Sequence, residues 1–225
     1  MKLPPEEQLI RHARTLQALH LPGGDLRFDS PWATRRRPEW HKPSKPRRER
    51  AAVLHRLIGE WAAGRPEALA ERRALVLAGP PGAGKTSRRG EALAALGEDP
   101  AGYAVIDSDV FKELLIREAL RDGTWPQLVP DSVWQREADG ERFYPMELSA
   151  LFHSEAAILV MYAQMKWVLP AGVNVVLEGV HPNPAAATRM VALLDSYDYQ
   201  VATATVETAE RECLVRSVAR WAAGY

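Results

Sequence analysis

Gly79-Pro80-Pro81-Gly82-Ala83-Gly84-Lys85-Thr86 is the stretch whose reading decides the fold. It fills every fixed position of G-x-x-x-x-G-K-[ST]. Ahead of it, Ala74-Leu75-Val76-Leu77-Ala78 is short and wholly apolar, as a strand buried on both faces should be. Behind it, Ser87 to Leu96 is rich in helix-forming Glu, Ala and Leu and stops at Gly97. Strand, glycine loop and helix in this order are the setting of a phosphate-binding loop. The glycines let successive backbone N–H groups turn toward phosphate oxygens, and the helix presents its positive end to the same anion. Lys85 is expected to reach the β- and γ-phosphates, and the Thr86 hydroxyl to hold Mg²⁺. The nucleotide-binding set is therefore Gly79, Pro80, Pro81, Gly82, Ala83, Gly84, Lys85, Thr86 and Ser87, with ATP and Mg²⁺ as cofactors. The competing reading is a Gly/Pro turn ending in a chance lysine. Four fixed residues in the right setting weigh against it.

The rest of the chain is read outward from this loop. Its 225 residues allow one large domain, or one domain with an extension. Lys plus Arg and Asp plus Glu both total 29, so no global charge draws the chain to nucleic acid or membrane. The single cysteine, Cys213, rules out an internal disulfide framework and a Cys-rich zinc site. The N-terminus lacks a signal-peptide layout, and no run approaches the ~18 apolar residues of a membrane span. A cytoplasmic protein without membrane contact is the expectation.

Periodicity predicts helices over 6–20 and 49–63, a short helical turn over 66–72, and the strand 74–78. It continues with a helix over 87–96, a strand over 103–107, a helix from Ser108 to Leu120 and, over 121–140, a long loop with room for one helical turn that could cover a substrate. A long helix over 146–168 follows, then a strand over 173–178, a helix over 184–196 capped by Asn183, a strand over 200–206 and a helix over 208–223. Strands alternating with helices imply an α/β fold around a mostly parallel sheet flanked by helices. Residues 1–70 read as a helical and basic extension, and 71–225 as the nucleotide-binding domain. Within the extension, Arg35, Arg36, Arg37, Lys42, Lys45, Arg47, Arg48 and Arg50 alternate with four prolines and with Trp32 and Trp40. This segment is either a nucleic-acid contact or a strap packing its tryptophans on the core. The zero net charge favours the strap.

Ligands of such sheets bind beyond the carboxyl ends of the strands. There the second strand ends in Asp107-Ser108-Asp109 and the third in Glu178-Gly179. Phosphoryl transfer needs a carboxylate at the acceptor hydroxyl and oxygen ligands around Mg²⁺. Asp107 and Asp109 supply both types within one turn; we weigh Asp109 as a base above a helix cap, and Asp107 as a further metal or substrate ligand. Positive charge for the transferring group could come from Arg211, Arg216 or Arg220, or these could form a solvated basic face. His153 and Glu155 open the long helix and could face an acceptor, or be a core histidine and a solvated carboxylate.

Taken together, Ala78–Ser87, Val105-Ile106-Asp107-Ser108-Asp109-Val110-Phe111-Lys112, His153-Ser154-Glu155-Ala156 and Gly172–Gly179 resemble the zeta-toxin family of P-loop kinases over about residues 74–225. The resemblance implies a P-loop kinase fold and transfer of the ATP γ-phosphate to a hydroxyl of a UDP-amino sugar or a similar nucleotide metabolite. By position it makes Lys85 and Thr86 the ATP and Mg²⁺ residues and Asp109 the base. It makes Glu178 a residue of the sugar-nucleotide pocket and Arg220 the first of two phosphate-clamping arginines. It also brings an antitoxin protein into view as a partner. Val180 stands where the family usually has Thr, removing a hydroxyl from the acceptor pocket. The sequence ends at Tyr225, before the second arginine, so a fragment, a reduced lid or completion by another chain are all open. The alternatives are a dinucleotide or antibiotic kinase, a nucleic-acid end kinase, and an inactive nucleotide-binding regulatory module.

Overall fold

The computed structural model describes residues 6–43, 45–64, 68–80, 82–179, 184–213, 215, 216 and 219. Helices α1 (Glu6–His20) and α2 (Arg48–Ala63) come first. Then follow β1 (Arg73–Ala78), α3 (Lys85–Ala95), β2 (Ala104–Ile106) and α4 (Ser108–Arg121). The order continues with α5 (Trp125–Leu128), α6 (Asp131–Ala138), α7 (His153–Tyr162), β3 (Val175–Gly179), α8 (Pro184–Asp195) and β4 (Gln200–Thr205). Residues 210–213 and 215–216 are again helical. No described helix is long and apolar enough to cross a membrane.

The described strands form one parallel sheet in the order β2-β3-β1-β4. β1 lies between β3 and β4, with Ala78 beside both Gly179 and Thr205. Its residues Ala74, Leu75, Val76 and Leu77 are all buried, which explains the unbroken apolar run of a strand covered on both faces. Leu75, Leu77 and Val176 pack with Leu93 of α3 and with Tyr103. This core fixes α3 against the sheet and so fixes the loop that joins β1 to it.

The chain divides into two compact units. One holds the described residues up to Leu57 together with Asp109–Leu159; the other holds Ile58–Ser108 and the described chain from Val160 onward. The second contains the sheet. In the first, Leu26, Leu54, Phe111, Leu115, Leu128, Leu148, Leu151 and Phe152 are fully buried. Trp125 stacks on Phe152 with ring centroids 6.4 Å apart.

Several elements differ from the sequence expectation. Residues 68–72 are irregular rather than helical, with a bend at Glu71 and Arg72 at φ +58°. Their backbone is claimed by the sheet: Leu69 N–H donates to Gly102 O, Asn174 N–H to Leu69 O, and the Asn174 side-chain oxygen accepts from the N–H of Glu71 and Arg73 at 3.1 Å each. Residues 66 and 67, and the Asn183 cap, lie outside the described residues. The expected loop over 121–140, with one helical turn, holds the single turn α5 and also a second helix, α6. Pro126 and Pro130 look like helix breakers, yet they stand in the first turn of α5 and just ahead of α6, where a missing N–H costs nothing. The expected long helix over 146–168 is three pieces: a 3-10 segment Pro145–Phe152, α7, and a π-helical turn Ala163–Val168. Glu147 caps the start by accepting from Tyr144 N–H at 2.8 Å. The π turn places Leu169 N–H on Gln164 O, five residues back.

The basic segment belongs to the first unit, and most of its arginines bond within that unit. Arg35 donates to Lys42 O and Pro43 O, Arg47 to Pro38 O, and Arg37 to Gln127 O and Glu39. The Arg50 guanidinium lies 4.0 Å from the centre of the Trp40 ring. Cations used this way pin a proline-broken chain to itself.

Candidate active site

The site is built at the carboxyl end of β1. Gly79 is a tight fit: a Cβ there would sit 2.8 Å from Val206 O, a backbone atom following β4. Gly84 precedes α3 with φ +89°, and Gly82 has φ +76°. Both lie in the left-handed region that glycine enters without steric cost. The motif therefore has its glycines where close approach or backbone handedness demands them. α3 begins at Lys85, two residues before the sequence pattern places it. Lys85 Nζ donates to Gly79 O at 2.8 Å and to Pro80 O at 3.2 Å. Pro81 lies outside the described residues. Ser87 is exposed in the first turn of α3.

β3 brings the acidic component. Its register sets Glu178 beside Leu77 of β1. The Glu178 side chain is 2% exposed and pairs with Arg89 Nη1 at 2.7 Å. Its second oxygen lies 3.5 Å from the Thr86 hydroxyl. Arg89 is absent from the sequence expectation. The signal was available: Arg89 follows Thr86 by three residues on α3, and residues three apart share a helix face. Asp107 follows β2 directly and is half-buried.

The chain after β4 supplies a third component. Val206 N–H continues the pairing by donating to Ala78 O at 2.8 Å. The Thr208 hydroxyl donates to Ala83 O at 3.1 Å, and Arg216 Nη1 to the same oxygen at 3.2 Å. Of the three arginines open from sequence, Arg216 is thus at the loop. Arg211 is exposed. Arg220 lies outside the described residues, as does Val180.

Asp109, His153 and Glu155 belong to the other unit. Asp109 stands in the first turn of α4 with its side chain 65% exposed, and Lys112 Nζ lies 2.8 Å from its carboxylate. Burial and then Lys112 hold the His153 pKa below the usual histidine range, against the pull of Asp109. Glu155 is fully buried. Arg50 donates to both of its oxygens at 2.7 and 2.5 Å, and the His41 Nε2 lies 2.7 Å from one. Burial alone would raise the Glu155 pKa; the hydrogen bonds from Arg50 and His41 outweigh it and place the group at about 2. Neither His41 nor Arg50 was visible as its partner from sequence, since they stand 114 and 105 residues away.

Backbone donors at a glycine loop, a lysine and a hydroxyl suit a nucleoside triphosphate. Thr86 and the Glu178 carboxylate beside it offer only hard oxygen donors, the chemistry magnesium takes. Among the described residues no group of three or more His, Cys, Asp or Glu forms a metal cage. The set fits an ion held by one or two protein ligands and by substrate phosphates.

Comparison with known proteins identifies the family and the fold. Residues 60–224 match the family described as Zeta toxin. No curated protein matches. Among solved structures, the PezAT chromosomal toxin-antitoxin system of Streptococcus pneumoniae aligns with TM-score 0.51 at 18% identity, over 76% of this chain and 61% of that one. The AvrRxo1-ORF1:AvrRxo1-ORF2 complex aligns with TM-score 0.52 at 18% identity, over 78% and 51%. A form of that complex with ATP aligns equally at 19% identity. These likenesses establish the fold, and the chain spans about half to three-fifths of the length of the solved chains.

Proposed function

The chain belongs to the zeta-toxin family, and from that premise we propose that it is an ATP-dependent phosphotransferase acting on a hydroxyl of a UDP-amino sugar or a related nucleotide metabolite. The observation that carries the reading is the carboxylate of Glu178 beside the Thr86 hydroxyl, at the foot of the phosphate-binding loop. The glycine loop follows β1, and Glu178, the carboxylate assigned here to the acceptor, ends the adjacent strand β3. One structural neighbour was solved with ATP, which supports the choice of nucleotide.

In this reading the backbone of Gly79–Gly84 and Lys85 hold the triphosphate, and the Thr86 hydroxyl and Asp107 would hold magnesium. Magnesium, when bound, neutralises charge on the phosphate oxygens. Glu178, oriented by Arg89, accepts a hydrogen bond from the acceptor. Asp109 takes the proton of the acceptor hydroxyl, with Lys112 fixing its carboxylate. The hydroxyl oxygen then bonds to the γ-phosphorus, the bond to the bridging oxygen breaks, and ADP leaves. Arg220 supplies positive charge to the transferring group. An antitoxin is the proposed protein partner, a reading supported by the toxin-antitoxin system to which one structural neighbour belongs.

The test uses γ-labelled ATP, magnesium and a panel of UDP-sugars, dinucleotides, antibiotics and oligonucleotides. Wild type should label a UDP-amino sugar, and Asp109→Asn should lose at least about 100-fold in rate. Labelling of oligonucleotides alone would replace this acceptor class. Equal rates in wild type and Asp109→Asn would remove the base.

A further inference from the structure

We propose that Thr208 and Arg216 are positioning residues: they set the phosphate-binding loop by holding the Ala83–Gly84 peptide from outside the motif. The inference rests on the nucleotide reading of that loop. Ala83 is buried, and its carbonyl oxygen receives two donors, the Thr208 hydroxyl at 3.1 Å and Arg216 Nη1 at 3.2 Å. A trans peptide is planar, so its C=O and the following N–H point in opposite directions. Two donors that pull the Ala83 carbonyl to one side therefore turn the Gly84 N–H to the other. Gly84 is the motif's last glycine, and its left-handed φ of +89° belongs to the backbone pattern that gathers N–H groups around an anion. A loop peptide free to flip would present its carbonyl to phosphate instead, which repels it.

The two donors are themselves held. The pairing of Val206 N–H with Ala78 O carries the register of β4 past the strand and toward Thr208. The buried Cys213 Sγ lies 3.7 Å from Thr208 O. Arg216 Nη2 pairs with Glu212 at 3.1 Å while Nη1 reaches the loop. A Cβ built on Gly84 would lie 3.4 Å from Arg216 Nη1, so the guanidinium rests against the loop. The chain after β4 is thereby coupled to phosphate affinity without any requirement that it touch the nucleotide.

Calorimetric titration with Mg·ADP and with tripolyphosphate tests this on the full chain. Thr208→Val and Arg216→Gln should each weaken both ligands by about tenfold, the loss expected for one hydrogen bond. Thr208→Ser should bind like wild type, because it keeps the hydroxyl. The double variant should lose less than the product of the single losses, since both donors act on one carbonyl. Melting without ligand reports the fold separately, and the exposed position of Arg216 makes Arg216→Gln a variant that should melt with wild type. Wild-type affinities in both single variants would overturn the proposal. So would a loss confined to ADP, which would mean a contact with the nucleoside. Failure of wild type itself to bind either ligand would overturn the nucleotide site and this inference with it.

Discussion

Glu155 shows what one buried charge requires of its neighbours. Arg50 and His41 both bond to its carboxylate, and Arg50 lies against the Trp40 ring. Removing one partner of a buried ion pair strands the other, at about 3–5 kcal/mol. Arg50→Ala should lower unfolding stability by that amount in chemical denaturation. The pH dependence follows from the depressed pKa. Glu155 contributes its full stability above the unfolded value near 4.5, and the contribution disappears as pH falls toward about 2. Denaturation midpoints in wild type and Glu155→Gln should therefore converge as the solution is acidified. From sequence, the positions of Lys85 and Thr86 at the start of α3 are legible because a short motif sets them, and that of Glu178 because it closes an apolar strand. Arg50 and His41 are not legible as partners of Glu155, because nothing local in a chain says which cation will meet a carboxylate more than a hundred residues away.

At the scale of elements, the sheet positions the loop through a few backbone hydrogen bonds. Asn174 is fully buried and satisfies the N–H groups of Glu71 and Arg73 just before and at the start of β1. Asn174→Ala leaves both donors without that acceptor and should cost about 2–4 kcal/mol, measured as a lowered denaturation midpoint. Gly79→Ala places a Cβ against the Val206 carbonyl, a backbone atom that cannot rotate away. It should weaken nucleotide affinity at least about tenfold while costing about 1–3 kcal/mol of stability. The parallel sheet and its strands are readable in the sequence, because buried apolar runs alternate with helical periodicity. The helix α6 is not, because a proline reads the same whether it breaks a helix or opens one. The π turn after α7 is likewise silent: Ala163–Val168 keeps a helical composition while its hydrogen bonds change register.

At the scale of the whole molecule, His12 gives stability a pH dependence near neutrality. Its ring is 1% exposed, with Nδ1 2.6 Å from Glu141, Nε2 3.1 Å from Glu147 and Phe143 edge-on at 4.9 Å. Burial alone would lower its pKa; hydrogen bonds to Glu147 and Glu141 outweigh this and raise it above the ordinary 6.5. A raised histidine pKa stabilises fully below the unfolded value, and the gain is lost as pH rises through the folded value. Stability relative to His12→Gln should thus fall from pH 6 to pH 9, read from denaturation midpoints. The family is legible in the sequence because four separated motifs occur in order, from the glycine loop to Val175-Val176-Leu177-Glu178-Gly179. The ion pair of Arg89 with Glu178 joins residues 89 positions apart, and only folding brings them together. Phosphoryl transfer itself is the claim to measure. Phosphorus NMR of the protein with ATP, magnesium and a UDP-amino sugar should show a new phosphomonoester growing in step with ADP, and none with Lys85→Ala. ATP that stays intact, or inorganic phosphate as the sole product, would contradict the account.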